Sequence, residues 1–166
     1  MKNYLLLFIL LPIACGAQNV KQLPCSAPEC RQFDFWLGDW NATYSDTIHA
    51  TNSVTKELDG CVVHEHFNDP ASKLKGESWS MYNPRLQKWQ QTWVDNQGSY
   101  IALTGVFSNG QMALYTEPFT LNGKKTVNRM VYYNITKEGF DWRWEASTDE
   151  GKTWKQNWLL HYKRKS

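Results

Sequence analysis

Glu65 and Asp95 are the residues of this chain whose type and setting most suggest chemistry. Glu65 lies in the run Cys61-Val62-Val63-His64-Glu65-His66-Phe67, and Asp95 ends the run Trp89-Gln90-Gln91-Thr92-Trp93-Val94-Asp95. Read as β-strands, such runs send alternate side chains to opposite faces. Cys61, Val63, Glu65 and Phe67 then share one face, and Val62, His64 and His66 share the other. In the second run Trp89, Gln91, Trp93 and Asp95 align. A carboxylate on an apolar face is costly unless it is paired or protonated. Burial raises its pKa toward neutrality, which suits it to anchor a ligand or to exchange a proton. Glu65 is therefore the candidate anchor or general acid/base, with Asp95 as a second carboxylate. A glycosidase would need the two about 5–9.5 Å apart. The bland alternative for Glu65 is a structural carboxylate bonded to Arg or to ring N–H groups.

Other patterns carry less. His64-x-His66 has a spacing that holds zinc on strands, but a third ligand is needed, from His49 or an acid. The alternation that turns Glu65 inward turns both histidines outward. His161 suggests haem ligation, yet it falls on a polar strand face. Ser147-x-Asp149-x-Gly151-x-Thr153-Trp154 has the form of an Asp-box, a turn device in which Ser and Asp bond the backbone, Gly takes the left-handed position and Trp packs beneath. A single copy implies no propeller repeat. The expectation is no metal and no cofactor.

These residues need elements to position them. With 166 residues the chain is long enough for one domain with a full core. The net charge of +2 and the lack of a basic stripe argue against nucleic-acid binding. Residues 1–17 read as a secretory signal: Lys2, an apolar run, then Ala14-Cys15-Gly16-Ala17. Cleavage after Ala17 leaves a soluble protein, and cleavage before Cys15 leaves a lipoprotein. A lipoprotein signal usually has Leu three residues before the Cys, where this chain has Pro12, which favours the soluble form. No other stretch is apolar enough for a transmembrane segment. Residues 18–31, with Pro24 and Pro28, form an arm with little regular structure.

From residue 32 to 166 the pattern is short alternating runs broken by turn residues, among them Asp59-Gly60, Asn83-Pro84, Asn109-Gly110 and Asn122-Gly123. The runs are 40–44, 53–58, 61–67, 77–82, 89–95, 100–107, 111–117, 126–135, 140–147 and 154–163. Residues 68–76 read as a loop. Short connections favour an antiparallel meander, and closure into a barrel removes its two edges. A two-sheet sandwich would want longer crossings. Inward-facing sets are Phe140, Trp142, Trp144 and Ala146, and Trp154, Gln156, Trp158, Leu160 and Tyr162. Asp141, Arg143 and Glu145 face water. An apolar interior with a few polar groups (Glu65, Gln91, Asp95, Gln156, Ser78 or Ser80) has the make-up of a small-molecule pocket.

The string Phe33-Asp34-Phe35-Trp36-Leu37-Gly38-Asp39-Trp40 reads as a helical turn leading into a first strand at Gly38, too rich in rings to lie on a surface. It resembles a family of uncharacterised secreted bacterial proteins with a lipocalin-like barrel. Gly60-Cys61 followed by Glu65, Trp89-x-x-x-Trp93-Val94-Asp95, the Asp-box and Tyr162-Lys163-Arg164 agree with it. The resemblance implies a ten-stranded up-and-down barrel plugged at one end by the helical turn, and a secreted or periplasmic location. It implies no established activity. Its Gly-x-Trp implies that Trp36, Gly38 and Trp40 close one end of the barrel, with Arg164 over the Trp40 ring as a cation–π cover. Of the 4 cysteines, Cys25, Cys30 and Cys61 lie beyond the signal. The resemblance favours a Cys25–Cys61 bridge, and Cys25–Cys30 is the local alternative.

The combined expectation is a secreted, monomeric lipocalin-like barrel that binds a small, largely apolar molecule. Trp79, Trp89, Trp93, Trp142 and Trp158 would line the cavity, and Glu65, Gln91 and Asp95 would orient the ligand. The rival is a hydrolase or isomerase using Glu65 and Asp95. No pairing of nucleophile and base supports it, so binding is favoured over turnover.

Overall fold

The computed structural model describes residues 25–45 and 49–166, so the expected signal segment and the start of the arm lie outside the described residues. The strands are β1 (Gly38–Thr43), β2 (His49–Glu57), β3 (Val62–Asp69), β4 (Leu74–Asn83), β5 (Lys88–Asp95), β6 (Tyr100–Ser108), β7 (Gln111–Tyr115), β8 (Phe119–Leu121), β9 (Lys124–Tyr133), β10 (Gly139–Ser147) and β11 (Lys155–Arg164). Ten of them close into an antiparallel barrel, and β8 pairs only with β9. Closure runs through β1 and β11, in the register Trp40↔Arg164 to Thr43↔His161. The meander leaves the barrel no open edge apart from the short β8.

One end is sealed by two 3-10 turns, Pro28–Arg31 and Asp34–Trp36. The arm thus becomes regular already at Pro28, because Cys30 is buried there against the barrel. Phe33, Trp36 and Trp40 are essentially inaccessible. Phe33 meets Trp89 and Tyr132 edge to face at 4.8 and 5.3 Å, the preferred geometry of packed rings. Trp40 Nε1 donates to Trp36 O at 2.8 Å. The Arg164 guanidinium lies 4.1 Å from the Trp40 ring and donates to Leu37 O at 2.8 Å and to Lys137 O at 3.0 Å. Gly38 has φ +117, and a Cβ there would stand 2.5 Å from Arg164 Nη1, so glycine is needed on both counts. Cys25 and Cys61 are disulfide-bonded, tying the arm to the turn before β3, and Cys30 is free and buried.

Three local expectations are corrected. Residues 68–76 are not an open loop. Asp69 accepts hydrogen bonds from Ala71 N, Ser72 N and Ser72 Oγ, which holds β3 and β4 in a tight hairpin. The Asn122-Gly123 turn extends a further small hairpin, β8–β9. A register shift between Trp144 and Glu145 inserts one residue into β11, so Trp144 pairs with Trp158 but Glu145 with Gln156. Past this bulge the alternation reverses, and Gln156 is exposed instead of inward.

Candidate functional site

The open half of the barrel holds a cavity of about 180 Å³. Its wall is Phe67, Leu74, Trp93, Ile101, Met130, Trp142, Trp144, Trp158 and Leu160, with Glu65, Tyr132 and Tyr162 as polar members and Asp95 also contributing. Between Leu74 and Tyr82, the inward face of β4 carries only small residues, which leaves room beside the cavity. Gly76, Ser78 and Ser80 alternate on its buried face. The Trp93 ring folds over Gly76, where a Cβ would meet it at 2.1 Å. Ser78 stands opposite Glu65 in register.

Glu65 is 6% exposed. Its oxygens accept from Asn52 Nδ2 at 2.8 Å and from Ser78 Oγ at 2.6 Å. Both donors are neutral. Burial pushes the carboxyl up to about 7, and the hydrogen bonds from Ser78 and Asn52 only partly oppose this. The phenols of Tyr132 and Tyr162 are raised well above the ordinary range, first by burial and then by the charge of Glu65. Asn52 Nδ2 also reaches Tyr162 Oη at 3.5 Å. Asn52 Oδ1 and Gln91 Oε1 are buried without a hydrogen-bond partner among the described residues. When Glu65 is protonated its O–H needs an acceptor, and an amide flip of Asn52 would present Oδ1 to it. Ionised, the group can accept from a molecule above it; protonated, it can give its O–H either to Asn52 or to that molecule.

Glu65, Trp93, Asp95, Trp142 and Trp158 all line this cavity, as expected from alternation. The other expected site residues fall elsewhere. Gln91 is buried and donates to Ser80 Oγ at 2.8 Å, so it braces the wall behind. Trp89 belongs to the sealed end, where its Nε1 donates to Gln32 Oε1 at 3.0 Å. Trp79 is corrected outright. It shares the outer face of β4 with Glu77, is 41% exposed and stacks on His64 at 4.6 Å. Asp95 is committed: it accepts from Trp93 Nε1, Gln97 N and Ser99 N, each at 3.0 Å. Burial raises its carboxyl, but the hydrogen bonds from Ser99, Trp93 and Gln97 prevail and hold it below its ordinary value. It serves as a brace for the turn after β5.

Asn52, Ser78, Tyr132 and Tyr162 complete the polar floor. Asn52 lies outside the expected run 53–58, but the second strand begins four residues earlier, at His49, and the alternation Ala50, Asn52, Val54 places it inward. Glu145, expected in water, is 5% exposed. It lies on the outer face, bonded to Arg129 Nε at 2.6 Å, and Arg129 in turn lies over Trp154 at 3.9 Å. Trp154, expected inside, packs in the Asp-box turn, its Nε1 donating to Gly151 O at 3.0 Å. That turn is structural: Ser147 Oγ accepts from Gly151 N, and Asp149 accepts from Thr153 N and Oγ1. Those bonds from Thr153, followed by one that Ser147 Oγ donates at 2.7 Å, bring Asp149 down to about 2. His161 is paired with Asp141 at 2.6 Å on the outer face, away from the cavity.

No model of a known protein family matches the chain, and no curated protein is similar to it.

Proposed function

We propose that this protein is a secreted or periplasmic binding protein of the lipocalin-like kind, acting as a monomer, that holds one small, largely apolar molecule in the open half of its barrel. The observation that carries the reading is Glu65: a buried carboxyl at the floor of an aromatic cavity, held by neutral donors. A structural carboxylate of that depth would ordinarily be matched by a cation. The cavity of about 180 Å³ is close to that of an engineered apolar cavity of about 150 Å³ that takes benzene in another protein. The ligand is therefore a planar molecule near the size of one or two rings, with one hydrogen-bonding group directed at Glu65. The disulfide suits an oxidising compartment. The likeness of residues 33–40 to the secreted bacterial barrel family points the same way. The experiment is native mass spectrometry of the chain purified from its own host without denaturation. One small molecule per chain, released by unfolding and absent after Glu65→Leu, is the expected result; a bare chain in every preparation contradicts the reading.

A second reading keeps one specific observation. Glu65 and Asp95 line one cavity while their environments drive their pKa values apart, a pattern that assigns acid and base roles in enzymes. As an isomerase or hydrolase, the protein would lose turnover and keep binding in Glu65→Gln. As a binding protein, it would show a change in affinity alone.

A further inference from the structure

We propose that His64, His66 and Glu77 form a binding site for a divalent ion of the zinc class on the outer wall of the barrel, separate from the cavity. His64 and His66 are two residues apart on β3, so their side chains leave the same face. Glu77 stands directly opposite His66 in the β3–β4 register. The fold therefore delivers the third ligand that the His-x-His spacing lacks, from the neighbouring strand. His49 does not serve, because it lies at the far end of β2, beyond Thr51, the partner of Asn68.

The geometry is close to that of a bound ion. One Glu77 oxygen lies 3.2 Å from His64 Nε2 and the other 3.3 Å from His66 Nδ1. In a tetrahedral zinc site with bonds of about 2.0–2.1 Å, neighbouring ligand atoms stand roughly 3.3 Å apart. Candidate ligand atoms of all three residues lie within 4.8 Å of one another, so a modest rotation of the exposed His66 ring and Glu77 carboxylate closes the set around His64. The His64 ring is already fixed, stacked on Trp79 with an interplanar angle of 17°. Two imidazoles and one carboxylate make a donor set that suits zinc, with the remaining position left to water or an outside ligand.

The test is calorimetric titration of zinc chloride into the full chain, with nickel(II) quenching of tryptophan fluorescence alongside. The expected result is saturation at one ion per chain, weakened at least about tenfold by His66→Ala and by Glu77→Gln. Both residues are well exposed, so these variants keep the fold, which circular dichroism checks. The double variant His49→Ala/His161→Ala should bind as the parent does. Trp79→Phe should keep zinc affinity but lose most of the nickel quenching. Absence of saturable zinc binding in the parent overturns the proposal, as does undiminished binding in His64→Ala/His66→Ala.

Discussion

The two halves of the barrel use the same residue type to opposite ends. In the sealed half Trp36, Trp40 and Trp89 are almost fully buried, each packed against another ring. In the open half Trp93, Trp142, Trp144 and Trp158 are only half-buried and stand around a space. Tryptophan count does not distinguish these uses. What lies opposite each ring does. The turn containing Phe33 and Trp36 fills one end, whereas Gly76, Ser78 and Ser80 withdraw the wall of the other. Tyr132 sits at the boundary, with its ring against Phe33 and its hydroxyl group sensing Glu65.

The largest difference between the halves should appear in stability. Trp40→Ala removes a ring with no exposed area and should cost about 3–5 kcal/mol. Trp158→Ala removes a partly buried ring beside existing space and should cost only about 1–2 kcal/mol. Equal losses in denaturant unfolding would erase the distinction. Glu65 should give the next largest effect, through pH. Burial raises its folded pKa from the ordinary carboxyl value to about 7, so its proton favours the folded state. That stabilisation is complete at pH values below the unfolded carboxyl range and is lost as pH rises toward and through about 7. At pH 8, Glu65→Gln should be more stable than the parent by on the order of 3 kcal/mol, and at pH 4 the two should match. A difference that stays flat with pH would mean that the carboxyl is solvated.

Smaller effects sharpen the contrast. Gly76→Ala pushes the Trp93 ring into the cavity; it should cost about 1 kcal/mol and weaken any cavity ligand by more than it weakens the fold. Trp79→Ala should change stability by less than about 0.5 kcal/mol and leave cavity binding untouched, since the ring lies on the outer face. Reduced cavity binding in that variant would contradict the assignment of faces.

Much of this division could be read from residue order. Alternation put Glu65, Trp93 and Trp142 inside and His64 and His66 outside, because a strand's period is fixed by its backbone. The string 33–40 announced a plug through its density of rings. Three things were not legible. Gln156 failed because a bulge reverses the face of every residue before it, and a bulge leaves no mark in hydrophobic pattern. Trp79 lies outside because its neighbours Ser78 and Ser80 hold the inner face, and small polar residues do not look like a wall. Glu77 joined the histidines only through strand register, which sequence does not state.

The central claim is that the open half binds a small ring compound through Glu65, and calorimetric titration with phenol and toluene at pH 8 tests it most directly. Phenol should bind at one per chain, about tenfold tighter than toluene, because the Glu65 carboxylate accepts its hydroxyl proton in a charge-assisted bond. Glu65→Leu should abolish that preference while leaving toluene bound. No heat from either compound, or the same preference for phenol in Glu65→Leu, would contradict the account.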